Sequence, residues 1–158
     1  MGSLCGPHKY YEVSWTRFYC VYGDKEYYLA CRKFYEEDKL DEDSILLIVH
    51  TNWKFHGMNF KIKPYKNGIC LSYIDDADGL KNWNLAIKDG KPVFHRYSIS
   101  DFVFEPFDGF IKIKDINSNS YLYMDTSKER DNNSYGRSFY VGVTKDRNKA
   151  TRFKRIDK

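Results

Sequence analysis

The sequence predicts an all-β fold made by using one small unit three times, and three observations predict it. A phenylalanine-anchored string recurs along the chain. Met58-Asn59-Phe60-Lys61-Ile62-Lys63-Pro64-Tyr65 returns as Ser100-Asp101-Phe102-Val103-Phe104-Glu105-Pro106-Phe107, and more loosely as Thr151-Arg152-Phe153-Lys154-Arg155-Ile156-Asp157. Phe60, Phe102 and Phe153 stand 42 and 51 residues apart, a spacing that fits a repeated supersecondary unit. Aromatic residues make up 18% of the chain, led by 14 Tyr and 11 Phe, which favours strands and argues against disorder. No stretch sustains a 3.6-residue apolar period, so helix content should be small.

The elements follow in order. Residues 10–13 and 17–22 are strand-like, and Gly23-Asp24 turns the chain into 26–31 as a hairpin. Residues 36–43 hold six acids in eight positions and read as a solvated loop or single helical turn. A buried strand at 45–49 follows, and Phe60-x-Ile62 closes the first unit. The second opens at 68–71, passes a polar loop at 75–79, and continues as 83–87. Asp89-Gly90 then turns into Pro92-Val93-Phe94, and Phe102-x-Phe104 closes the unit. In the third, 108–113 is a strand, 117–120 a turn and 121–125 a strand. A long polar loop at 126–137, a strand at 139–143 and a closing segment at 151–153 complete it.

Four short strands per unit cannot bury an apolar face alone, so the three units must share one core. The residues expected to point inward are Phe18, Leu29, Leu47 and Phe60; Ile69, Leu85, Val93 and Phe102; Ile111, Leu122, Val141 and Phe153. This pattern resembles the β-trefoil superfamily. Strings such as Gly109-Phe110-Ile111-Lys112-Ile113 leading into Tyr121-Leu122-Tyr123-Met124-Asp125 are similar to strings in trefoil lectins, fascins and fibroblast growth factors. The resemblance implies twelve strands, six in a barrel and six in capping hairpins. It implies one domain over residues 1–158, with repeats at about 14–66, 67–107 and 108–158.

Composition and motifs exclude several classes. The longest apolar run, residues 45–49, is far short of a membrane span, and the first nine residues lack the pattern of a classical signal peptide. A cytoplasmic protein, or one secreted without such a peptide, is expected. Cys5, Cys20, Cys31 and Cys70 show no zinc spacing. Across the Gly23-Asp24 turn Cys20 faces Tyr27 and Cys31 faces Thr16, so reduced thiols are expected. The loop at 75–79 lacks the later ligands of a calcium loop, so no metal or cofactor is expected. His8, His50, His56 and His95 are scattered, with no nucleophile in a catalytic context, so no enzyme is expected either.

Binding is the remaining class. A sugar site joins an aromatic face to carboxylates and amides that fix hydroxyls. Asp76 and Asp78 followed by Asn82 and Trp83 offer that mixture, as do Asp125, Asn133 and Tyr135 in the comparable place of the third unit. A lectin with a glycan or glycoprotein partner is therefore expected, although no unit carries the Gln-x-Trp of ricin-type lectins. The alternative is a sulfated polysaccharide held by Lys145, Arg147, Lys149, Lys154 and Arg155. A protein partner, such as a protease presented with the 126–137 loop and Arg130, is a third reading. Nucleic acid is disfavoured, because Phe153 should point inward, away from the cations.

Overall fold

A computed structural model describes residues 15–32, 44–51, 59–75, 81–134 and 136–158. The expected strand at 10–13, the acidic run at 36–43, and Asp76, Asp78 and Tyr135 lie outside them. Within them are twelve strands: β1 (Thr16–Tyr22), β2 (Lys25–Arg32), β3 (Ser44–His50), β4 (Lys61–Tyr65), β5 (Gly68–Asp75), β6 (Lys81–Lys88), β7 (Lys91–His95), β8 (Phe102–Phe107), β9 (Phe110–Asp115), β10 (Ser120–Asn133), β11 (Gly136–Thr144) and β12 (Lys154–Asp157). The one helical piece among the described residues is a 3-10 turn, Arg147–Lys149, capped where Asp146 accepts from the Asn148 N–H at 2.9 Å.

Three tight turns shape the hairpins. Gly23-Asp24, Asp89-Gly90 and Asp108-Gly109 all have positive φ at both positions, from 50° to 83°. That is the geometry whose twist matches paired strands, and Gly and Asp are the residues that accept it. The register after the first turn places Cys20 opposite Tyr27, as the sequence implies. Burial pushes the Cys20 thiol up to about 12.

All strands join one antiparallel sheet in the order β11-β10-β9-β8-β5-β6-β7-β3-β2-β1-β12, with β4 on β5 and an extra pairing of β11 with β3. The path of ladders is open and does not close into the expected barrel. Contacts in the places where closure would occur are single residue pairs. Thr16 and Phe60 exchange two backbone hydrogen bonds, at 2.9 and 2.8 Å, and Ile111 and Phe153 do the same at 2.9 and 2.8 Å. Ile69 pairs with Phe102. Each anchor phenylalanine thus meets the beginning of its own unit.

One apolar cluster fills the interior, with Phe18, Phe60, Phe102, Phe139 and Phe153 fully buried in it. Phe18 meets Phe60 edge-on at 5.3 Å, and Phe60 stacks on Phe94 at 5.6 Å. Ten of the twelve expected inward residues are buried. Ile69 and Ile111 are half-buried, and the deep places on their strands go to Leu71 and Ile113, two residues further along the same face. On β7 it is Phe94, not Val93, that enters the cluster; both are buried, so the strand is covered on both faces and alternation could not choose.

The expected loop at 126–137 is a second correction. β10 runs on to Asn133, and the ladder with β11 continues through Glu129↔Phe139, Asp131↔Ser138 and Asn133↔Gly136, with register shifts after Met124 and after Glu129. Bulges absorb the extra residues, so a polar stretch still pairs.

Replacing Phe60 with Ala removes a large ring from a filled site and should lower the unfolding free energy by about 3–5 kcal/mol. Val21→Ala, at a position 63% exposed, should stay within ~0.5 kcal/mol. Urea denaturation of the two variants checks both.

Candidate functional site

One face of the β10–β11 hairpin is built by alternation. Tyr123 lies opposite Gly142 and Met124 opposite Val141, so Tyr123, Asp125, Tyr140 and Gly142 share one face. A Cβ at position 142 would come within 2.8 Å of the Tyr123 ring. Glycine there lets the ring lie across the neighbouring strand. The bulge after Met124 then frees Asp125 and Lys128 from the ladder. The facing wall is the β6–β7 turn of the second unit, with Asp89, Gly90, Lys91 and Pro92. Between the walls is a cleft of about 440 Å³, within the size range of small-ligand sites.

The carboxylate in this cleft is held in place. Asp125 Oδ1 accepts from the Ser127 N–H at 3.1 Å and the Ser127 hydroxyl at 2.6 Å, and Oδ2 accepts from the Tyr123 hydroxyl at 3.5 Å. The Ser127 hydroxyl is the main cause that holds the Asp125 pKa below 3.8. Burial, and then the Asp125 charge, push the Tyr123 phenol above 10. At neutral pH the cleft therefore presents an ionised acceptor whose Oδ2 is only weakly engaged by the Tyr123 hydroxyl, beside two half-buried tyrosines, of which Tyr140 also packs against the core cluster.

Of the residues expected in sugar sites, Asp125 alone among the described ones lies in this cleft. Trp83 is 1% exposed and belongs to the core cluster, so its ring cannot stack on a sugar; Asn82 beside it is exposed on β6. Asn133 is exposed at the far end of the hairpin, paired with Gly136. Five residue steps along β11 separate that pair from Val141, roughly 17 Å at strand spacing, so Asn133 does not join Asp125 in one site. Tyr123, Tyr140 and Asp89 were the residues missed. Their signal was present: Tyr-x-Asp and Tyr-x-Gly at period two, facing an Asp-Gly turn.

The five basic residues of the alternative site differ in how they are engaged. Arg147 is paired with Glu105 at 3.1 Å and Arg155 with Asp157 at 3.1 Å, while Lys154 lies over the Phe110 ring at 5.0 Å. Lys149 is exposed on the 3-10 turn, and Lys145 is exposed beyond the end of β11. Arg130, expected on a protruding inhibitor loop, lies within β10. Its side chain is 21% exposed and contacts Asp131 at 3.5 Å.

Among the described residues no three His, Cys, Asp or Glu gather as a metal would require, and no helix is long and apolar enough to cross a membrane. Comparison with known proteins finds no matching family, no matching curated protein and no matching solved structure.

Removing the Ser127 hydroxyl should let the Asp125 pKa rise toward 3.8. A carboxyl ¹³C titration of wild type and Ser127→Ala measures it, with the lower midpoint expected for the wild type. A native pKa depressed below its unfolded value stabilises the fold above that value and loses the contribution as pH falls through the native one. This site should therefore contribute no change in stability between pH 5 and pH 8.

Proposed function

We propose that the chain is a trefoil-type binding protein whose ligand is a carbohydrate, held in the cleft between the β6–β7 turn and the β10–β11 hairpin. Support for the trefoil architecture comes from the pairings of six strands. β4 lies on β5, β8 on β9 and β12 on β1, and three single-residue contacts, Thr16–Phe60, Ile69–Phe102 and Ile111–Phe153, run from one of these pairs to another. The other six strands form the hairpins β2–β3, β6–β7 and β10–β11, one from each unit.

One observation carries the ligand assignment: Tyr123 and Tyr140 flank a fixed, ionised Asp125 in a concave site. Apolar C–H faces of a sugar ring suit tyrosine faces, and its hydroxyls suit a carboxylate with a spare oxygen. The same chemistry favours binding over turnover. Glycoside cleavage needs a carboxylic acid with a raised pKa to protonate the leaving oxygen, and Asp125 is shifted the opposite way.

A second reading has its own observation. Lys149, Arg152 and Lys154 form no ion pair among the described residues, and Arg152 lies over Phe107 at 4.4 Å near Lys154 over Phe110. A sulfated polysaccharide would suit that face. Retention on heparin beyond that on a cation exchanger of equal charge, lost in Lys154→Glu with Arg155→Glu, would place it there.

On a glycan array the wild-type protein should bind a defined set of sugars. Asp125→Ala and Tyr140→Ala should each weaken that binding about tenfold or more, equivalent to ~1.4 kcal/mol. A blank array with folded protein removes the carbohydrate reading.

A further inference from the structure

Resting on the carbohydrate reading, we infer that the ligand is a chain of at least two sugar residues, because the cleft opens into a second, chemically different recess. Gly90 and Val143 line both spaces, so these two residues form the sill between them. Beyond that sill is an open recess of about 680 Å³, between the second unit's β6–β7 hairpin and the third unit's 116–119 turn. The first space offers tyrosine faces. The second offers hydrogen-bonding groups: Asp115, Asn117, Ser118, Ser120, Thr144 and Lys145.

These groups are pre-arranged. Asp115 is 4% exposed, and its Oδ2 accepts from the Ser118 N–H at 3.2 Å and the Ser118 hydroxyl at 2.5 Å. The Ser118 and Ser120 hydroxyls are 2.5 Å apart. Asp115 Oδ1 is buried and has no hydrogen-bond partner among the described residues. Buried carboxylate oxygens are normally paired, so this enclosed acceptor is an exception directly behind the recess wall, and contact with anything that enters falls to the exposed groups around it. Asn117 and Lys145 both line the recess and are exposed, and can donate to hydroxyls or ring oxygens of whatever enters. A sugar residue stacked on Tyr123 and Tyr140 would have its neighbour in a chain lying over Gly90 and Val143, where a hydroxyl-rich ring meets a hydroxyl-rich wall. The cleft then selects the ring that is stacked, and the recess selects chain length.

The test uses array glycans that share one terminal residue and differ in length from one to three residues. Trisaccharides should bind about tenfold or more tightly than the corresponding monosaccharide. Asn117→Ala and Lys145→Ala, both at exposed positions, should bring that ratio close to one, as should the double variant. Equal binding of short and long glycans, or a length preference untouched by both variants, overturns the extended site and leaves the single-sugar cleft in place. Silence toward every glycan, with the fold intact by circular dichroism, overturns both.

Discussion

The contact on which the architecture depends is the one between an anchor phenylalanine and the first strand of its own unit. Phe60 and Phe153 each do two things at once: the backbone exchanges two hydrogen bonds with Thr16 or Ile111, and the ring is wholly buried. Side chains alternate along a strand, so a slip of one residue at either contact would move the ring from the core to solvent. Burying such a ring contributes about 1.5–3 kcal/mol. Register and burial therefore enforce each other at two widely separated places in the chain, and at Phe102, opposite Ile69, by the same logic. Short hairpins that would be marginal alone are stable because three of them share those rings.

This arrangement places the site on the outside. With the inner faces of the strands committed to phenylalanine and leucine, chemistry is left to the hairpins and to the seams between units. The third unit's hairpin is the long one: β10 has 14 residues and β11 has 9. Its extra length is taken up by bulges, and the first of them sets Asp125 free beside Tyr123. A regular ladder would have continued the pairing of Met124 with Val141 and tied the Asp125 backbone to β11. The irregularity and the site are thus one feature.

Much of the fold was legible in the sequence because it depends on local chemistry. Asp89-Gly90 and Asp108-Gly109 can be read as turns since few residues accept two consecutive positive φ angles. The anchors could be read because a buried aromatic with a fixed spacing leaves a trace that hydrophilic neighbours do not hide. What escaped was non-local. Residues 126–137 look like a loop by composition, and their pairing with β11 is visible only in the register. Trp83 looks like a sugar platform by residue type, and its burial is settled by strands from other parts of the chain. Basic residues concentrate in the C-terminal segment, and which of them are engaged is likewise non-local: Glu105 pairs with Arg147, while Arg155 meets Asp157.

The seam between the second and third units differs from an ordinary packing joint. Asp101 is 2% exposed and uses Oδ2 to accept from the Asn67 N–H at 3.0 Å, and its backbone carbonyl accepts from the Ile116 N–H at 2.9 Å. Asp115 pairs with Phe102 across β8 and β9, immediately beside it. Two buried carboxylates thus flank an anchor, each with one oxygen satisfied and Oδ1 without a partner among the described residues. The oxygen of Asp101 lies under Gly68, where even a Cβ would clash with Phe102 and Asp101, so the space there is closed and the role is structural. Asp115 borders the open recess instead. Leaving a buried acceptor unmade costs about 1–3 kcal/mol, and apolar packing would have avoided it. Of these two similar acids, the one beside a closed wall ties the units together, while the other holds the Ser118 turn at the edge of the open recess through Oδ2.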